Sequence, residues 1–187
     1  AQAITDPMLK NWYQSLHNAT HHQPIQWDYI DQVVIVNLDS RPDRLAHIQQ
    51  ELAFLNFPAQ KITRLAASVA TNGQAGRRQA HLQALQLAQR NGWKNYLLLE
   101  DDSVILKQEK HIRVLNSLLN ALPGFPWEVV ILGGEIKQGR ELKSLNGMIH
   151  ARDCNKVCAY LVNSSYYPAL AQQMEHDLSD TLEGQWQ

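Results

Sequence analysis

The sequence predicts an α/β fold in which a mostly parallel sheet has helices on both faces. Short apolar runs, typical of strands buried on both faces, alternate along the chain with segments whose apolar residues recur at helical spacing. Regular alternation of strand and helix favours crossover connections between parallel strands. The 187 residues suit one domain large enough to bury a core. We therefore predict an N-terminal helix and connector at residues 1–30 and one α/β domain at residues 31–187.

Five apolar runs are predicted as strands. The second is the weakest of them, and the fourth is closed by Gly133 and Gly134, after which a polar loop is expected at residues 135–147. The five runs are residues 33–36, 60–66, 96–99, 127–132 and 157–162.

The segments before, between and after these strands have apolar residues at helical spacing and are predicted as helices. A first helix is predicted at residues 5–17, followed by a polar connector at residues 18–30. The next begins at Ser40-Arg41-Pro42-Asp43, which resembles a capping box with proline in the first turn. After a turn at residues 73–76, another helix runs to about Asn91, with Gly92 as its C-terminal cap. The last two helices carry Ile112, Leu115, Leu119 and Leu122, and then Leu170 and Met174.

Composition narrows the classes of function. The formal net charge is -1 and lysine and arginine form no long block, so no nucleic-acid partner is indicated. The sequence contains no apolar run of membrane-spanning length, so any membrane association would be peripheral. Cys154 and Cys158 lie four residues apart in a predicted strand, too far apart to form a disulfide. Free thiols suit a reducing compartment, and we expect a cytoplasmic location.

Three carboxylates, Glu100, Asp101 and Asp102, directly follow the strand at residues 96–99. Adjacent acids repel one another and require a compensating charge, which a divalent cation with hard oxygen ligands, such as Mg²⁺ or Mn²⁺, would supply. Ligands of parallel sheets bind at the carboxyl ends of strands, where this segment is predicted to lie. The alternative is a solvated loop whose acids cap the segment that follows.

Several stretches, in this order, resemble glycosyltransferase family 25, which includes lipooligosaccharide and collagen galactosyltransferases. Together they cover roughly residues 32–182. The stretches are residues 34–44 (VIVNLDSRPDR), 73–76 with 81–85 (GQAG and HLQAL), 92–93 with 97–102 (GW and LLLEDD), 127–133 (WEVVILG) and 159–162 (AYLV).

The resemblance implies a GT-A type, Rossmann-like fold and transfer of a hexose, commonly galactose or glucose, from a UDP-sugar. It implies Mn²⁺, or Mg²⁺, as cofactor and inversion at the anomeric carbon, with a saccharide acceptor such as lipopolysaccharide or another glycan. We assign the metal to Asp102 and Glu100. The donor-binding residues are predicted to be Asn37, Asp39, Arg41, Arg44, His81, Glu100 and Asp101.

An inverting transferase requires a base that takes the proton of the acceptor hydroxyl. Two acids are candidates, Glu135 after the predicted strand at residues 127–132 and Asp180 near the C-terminus. Simpler roles stay open for several of these residues. Glu135 would then be an exposed acid in a turn, His81 a structural histidine, and the polar residues after the first strand helix caps and solvated arginines.

Some positions depart from the family pattern, with Arg77 in place of its cysteine, Ala80 in place of its serine and Gln74 in place of its glutamate. These departures favour a second hypothesis, a non-catalytic module that keeps the fold and binds a nucleotide sugar. A third possibility is another nucleotide-binding α/β enzyme, such as a nucleotidyltransferase. The sequence has no Walker-type glycine-rich loop, which argues against P-loop chemistry.

Overall fold

The computed structural model of the protein describes residues 25–67, 73–143 and 147–183. The predicted helix at residues 5–17 and most of the connector at residues 18–30 lie outside these ranges. The division of the chain at residue 30 therefore stays a prediction.

The described residues form one five-stranded mixed sheet. Its order is β2-β1-β3-β5-β4. β1 pairs in parallel with β2 and β3, whereas β5 is antiparallel to both of its neighbours, β3 and β4. The prediction of an α/β fold is confirmed, and four of these five strands run in the same direction. The strands are β1 Gln32–Leu38, β2 Ile62–Ala67, β3 Asn95–Glu100, β4 Val129–Glu141 and β5 Ile149–Asn163.

Helices cover both faces of the sheet, as predicted. Alternate residues of a strand point to opposite faces, so Val33 and Ile35 of β1 join a core with α1 and α3, while Val34 and Val36 join a second core with α2 and α4. The helices are α1 Pro42–Phe54, α2 Gly73–Asn91, α3 Glu109–Ala121 and α4 Tyr167–Glu183. Short 3₁₀ turns occur at Trp27–Tyr29, Ala59–Lys61, Leu122–Gly124 and Ser164–Tyr166.

Two predicted helix starts were wrong in detail. The residue at the N-cap of α1 is Arg41, and within the described chain no side chain caps this helix, so the capping box predicted from Ser40 does not form. Pro42 does occupy the first turn. Residues 73–76 are the first turn of α2, not a separate turn. At the other end of α2, Gly92 has a φ of 64° and caps the helix, as predicted.

The fourth strand does not end at Gly133 and Gly134. β4 continues to Glu141, so the first seven residues of the predicted polar loop are strand paired with β5. We call residues 133–141 and 149–157 the ribbon. A Cβ at position 133 would lie 2.9 Å from Sγ of Cys158 and 3.3 Å from Cβ of Ala159, so a larger residue here would displace side chains of β5.

Other features of the described chain bear on the sequence predictions. Both cysteines lie in β5 and are free. None of the described helices is long enough and apolar enough to cross a membrane.

Candidate functional site

The candidate site lies at the boundary between β1 and β3, where the connections of the sheet change direction. From β1 the chain passes through α1 to β2 on one side, and from β2 it passes through α2 to β3 on the other. In α/β proteins, ligands bind outside the carboxyl ends of the strands at such a switch point, and we refer to this region, around Asn37 and residues 100–102, as the crevice. Asn37 near the end of β1 and Glu100 at the end of β3 adjoin this boundary.

Asn37 organises the β1 side of the crevice. It is 1% exposed, and its Nδ2 donates to Oδ2 of Asp101 at 2.8 Å and to the carbonyl of Arg41 at 2.9 Å. Its Oδ1 accepts from Nε of Arg64 at 3.0 Å, and Arg64 also pairs with Asp39. Both polar atoms of the Asn37 amide are thus committed to protein partners, which fixes the position of Asp101 relative to β1.

Arg44 of α1 is the cation on this side. Its Nη1 lies 3.3 Å from Oδ1 of Asp101 and 3.6 Å from Oδ2 of Asp102. Asp101 is buried, whereas the side chain of Asp102 is 56% exposed. Of the three adjacent acids, Asp102 therefore presents the most accessible carboxylate.

Glu100 has its partners on the opposite face of the sheet. Its Oε1 accepts from Nε of Arg77 at 2.5 Å and lies 3.1 Å from Nε2 of His81. Because a carboxylate can only accept, Nε2 carries the hydrogen in this contact. Nδ1 of His81 lies 3.1 Å from the hydroxyl of Tyr160. Burial raises the pKa of Tyr160, so its hydroxyl stays protonated and can donate to the imidazole.

The compensating charge that the sequence led us to expect from a cation comes partly from the protein. Arg77 pairs with Glu100, and Arg44 reaches both Asp101 and Asp102. Among the residues that the structure describes, no three acids, histidines or cysteines are grouped to hold a metal ion. Asp102 offers oxygen of the type that Mg²⁺ and Mn²⁺ prefer, but these residues would hold a cation only with oxygen ligands from phosphate or water.

The loop that follows the acids is fixed at several points. The amide of Ser103 donates to the carbonyl of Glu100 at 3.0 Å, and its hydroxyl donates to the carbonyl of Cys158 at 3.3 Å. Glu51 of α1 accepts from the amide of Ile105 at 3.2 Å and from Nζ of Lys107 at 2.5 Å. Glu51 and Lys107 are each 2% exposed, so a buried ion pair ties this loop to α1.

Two of the predicted residues have side chains whose described contacts lie outside this network, and the side chain of a third is not described. Arg41 pairs with its neighbour Asp43 through two hydrogen bonds, of 2.9 and 2.8 Å. Glu135 lies on the ribbon, where Lys137 and Lys156 approach it at 2.5 and 3.5 Å. Asp180 lies within α4, but its side chain is outside the described part of the structure.

Two arginines of the site were not predicted from the sequence. Arg64 is the one charged residue of β2, the strand that pairs with β1. A positive charge in an otherwise uncharged strand was the sequence signal that could have identified it. Arg77 was noted only as a departure from the family pattern. Its Nη2 also donates to the carbonyl of Val157 at 2.6 Å, so it links α2 to both β3 and β5.

Comparison with known proteins adds little to this description. No protein-family model matches the chain, and no curated protein matches it. A crystal structure of a protein from Entamoeba histolytica, described as a UDP-N-acetylglucosamine pyrophosphorylase, is similar with a TM-score of 0.33 and 11% identity. The match covers 75% of this chain and 46% of that one, so the chain spans less than half of that protein. A likeness of this strength carries no argument about function, and the GT-A type stays a prediction.

Proposed function

We propose that this protein is a glycosyltransferase that moves a hexose, galactose or glucose, from a UDP-sugar to a saccharide acceptor such as lipopolysaccharide or another glycan. The proposal rests on one observation. Of the residues predicted to bind the donor, Asn37, Arg44 and Asp101 contact one another at the carboxyl ends of β1 and β3, at the switch point of the sheet, which is where α/β folds bind nucleotides. Inversion at the anomeric carbon, the GT-A type of the fold and a cytoplasmic location are part of the same proposal.

The contacts suggest separate roles for the residues of the crevice. Asn37 positions Asp101, because both ends of its amide are bound to protein atoms. Arg44 is 38% exposed and can bind a phosphate group. Asp102 is the acid best placed to hold Mn²⁺ or Mg²⁺ together with phosphate oxygens. Such a cation would neutralise the charge that develops on the leaving diphosphate.

Two acids are candidates for the base of the reaction, Glu135 and Asp180. Each carboxylate oxygen of Glu135 lies within ion-pair distance of a lysine. Oε1 of Glu135 pairs with Nζ of Lys137, and Oε2 of Glu135 pairs with Nζ of Lys156. Asp180 is a candidate because of its position in the sequence.

One observation favours the second candidate function, a non-catalytic module that binds a nucleotide sugar. Arg77 occupies Oε1 of Glu100, the acid that was predicted to share the metal with Asp102. If this ion pair persists when the donor is bound, a cation would have fewer protein ligands, and the site would retain binding without turnover.

Thermal unfolding in the presence of UDP, UDP-galactose and UDP-glucose, with Mn²⁺ or with a chelator, tests the proposal. A ligand that binds the folded state at about 100 times its Kd stabilises it by about 2.7 kcal/mol. We expect stabilisation by UDP-sugars that is larger with Mn²⁺ and reduced by the chelator. Asp102→Asn should abolish the metal-dependent part. Asp28→Asn, which removes an exposed acid before the amino end of β1, should retain it.

Hydrolysis of the donor distinguishes the two candidate functions. An enzyme should release UDP from a UDP-sugar in the presence of Mn²⁺, whereas a binding module should give the thermal shift without release of UDP. Absence of any shift with all three nucleotides would exclude both.

A further inference from the structure

Two guanidinium groups flank the carboxyl end of β3, one from each face of the sheet. Arg44 belongs to α1, which packs with the core that contains Ile35, and Arg77 belongs to α2, which packs with the core that contains Val34. Arg44 reaches Asp101, whereas Arg77 reaches Glu100, the preceding residue. The two cations therefore approach the end of the same strand from opposite sides.

Both side chains keep donors for a further partner. The described contacts of Arg77 use Nε and Nη2, and those of Arg44 use Nη1. A guanidinium carries five N–H donors, so Nη1 of Arg77 and Nε and Nη2 of Arg44 have no protein acceptor within the part of the chain that the structure describes. The side chains are 43% and 38% exposed. Their carboxylate partners thus hold them in place while solvent still reaches them.

The other two arginines near the crevice are less suited to bind a ligand. The described side-chain hydrogen bonds of Arg41 both go to Asp43, and within the described chain none of them reaches the acids that end β3. Arg64 is held between Asn37 and Asp39 on the β2 side of the site. Among the arginines that the structure describes, Arg44 and Arg77 are the ones whose side chains contact the acids that end β3.

We propose that Arg77 binds one phosphate of the nucleoside diphosphate and that Arg44 binds the other, across the end of β3. This inference rests on the proposed function, because it deepens the assignment of the donor site. Planar guanidinium groups match phosphate oxygens bidentately, and charge-assisted hydrogen bonds are stronger than neutral ones. Arg77 is therefore a diphosphate-binding residue, and its ion pair with Glu100 orients it in the free protein.

The test is calorimetric titration of UDP and of inorganic pyrophosphate into the full chain and into charge-removing variants. Arg77→Gln and Arg44→Gln should each weaken binding of both probes by about 10- to 100-fold, the range for a hydrogen bond to a charged group. The matched control is Arg78→Gln. Arg78 is the next residue of α2 and donates to the carbonyl of Asp177, so the control removes the same charge and should leave both affinities within about twofold.

A purely structural role of Arg77 predicts a different result. If Arg77 acts only by neutralising Glu100, the double variant Arg77→Gln/Glu100→Gln should bind pyrophosphate as tightly as the unchanged protein, and the proposal would be overturned. If Arg77 contacts phosphate, the double variant should remain weaker. The melting temperature of each variant without ligand shows whether the fold is retained, and Arg77→Lys, which keeps the charge, serves if Arg77→Gln does not fold.

The outcomes separate this inference from the proposed function. Binding of UDP that is unaffected by Arg77→Gln overturns the inference and leaves the proposed function standing. Binding of pyrophosphate but not of UDP, with loss in Arg77→Gln, supports the anion site and contradicts the nucleotide-sugar function. Absence of binding of both probes to the unchanged protein, with Mn²⁺ as well as without it, overturns both.

Discussion

At the scale of single residues, the crevice is defined by where each polar side chain finds its partner. Asn37 is buried and uses both ends of its amide on protein atoms, so it holds Asp101 in place relative to β1. Asp102, in contrast, is largely exposed and only loosely paired with Arg44 at 3.6 Å. Burial and pairing thus distinguish residues that build the site from those available to a ligand.

The ion pair between Arg41 and Asp43 gives a prediction of pH dependence. The hydrogen bond from Arg41 lowers the pKa of Asp43 to about 2. Because this lies below the ordinary value near 3.9, the pair contributes to stability above about pH 4, and the contribution is lost as the pH falls toward 2. Arg41→Gln should raise the pKa of Asp43 toward the ordinary value. A side-chain carboxyl NMR titration measures this, with Arg113→Gln on α3 as a control that leaves Asp43 unchanged.

That prediction would be contradicted if Asp43 titrated at its ordinary pKa in the unchanged protein. Both groups are exposed, so the pair affects the local titration much more than the global stability.

The partners of the arginines could not be predicted from the sequence. The acids after β3 were evident from their spacing, and the need for compensating charge followed from simple electrostatics. What the sequence lacked was the source of that charge. Arg44 and Arg77 lie 57 and 23 residues from the acids they contact, and only the packing of α1 and α2 on opposite faces brings them to the end of β3.

At the scale of elements, strands in the core were predicted better than the ribbon. β1 and β3 are buried over almost their whole length, so their apolar runs were evident. Beyond Leu132, β4 is exposed on nearly every residue. Without a buried face there is no alternation of apolar and polar residues to detect, and the glycines that permit close approach of β5 read instead as a turn.

The buried ion pair between Glu51 and Lys107 connects α1 to the loop that follows the acidic residues. Lys107→Met leaves the carboxylate of Glu51 buried without this partner, and we expect a loss of about 3–5 kcal/mol in the free energy of unfolding. The double variant Glu51→Leu/Lys107→Met removes both charges and should recover most of that loss. It should not recover all of it, because the amide of Ile105 loses its acceptor.

Urea denaturation of these variants provides the measurement. Lys110→Met, at an exposed position of α3, is the matched control and should change the free energy of unfolding by less than about 0.5 kcal/mol. If Lys107→Met were as stable as the control, the ion pair would not hold the loop to α1.

At the scale of the whole molecule, two cores share one sheet, and the crevice lies at the carboxyl ends of its inner strands β1 and β3. β1 and β3 supply alternate residues to each core, so neither set of helices can lose its packing without exposing one face of the same strands. The site depends on both cores as well, because Arg44 comes from the helix layer of one and Arg77 from the helix layer of the other. Binding at the crevice should therefore report on the integrity of both faces.

This arrangement predicts a single cooperative unfolding transition for the sheet and its helices. Leu52 of α1 and Leu85 of α2 are fully buried in different cores, and replacement of either by alanine should cost about 2–5 kcal/mol. Because β1 and β3 belong to both cores, each variant should unfold in one step.

The urea unfolding transition followed by circular dichroism should then coincide with the transition followed by tryptophan fluorescence. Fluorescence senses both cores, since Trp27 packs in one core and Trp93 against the other. Leu106→Ala, at a position 44% exposed, should cost less than about 0.5 kcal/mol. Separate transitions by the two probes in either core variant would mean that the faces unfold independently.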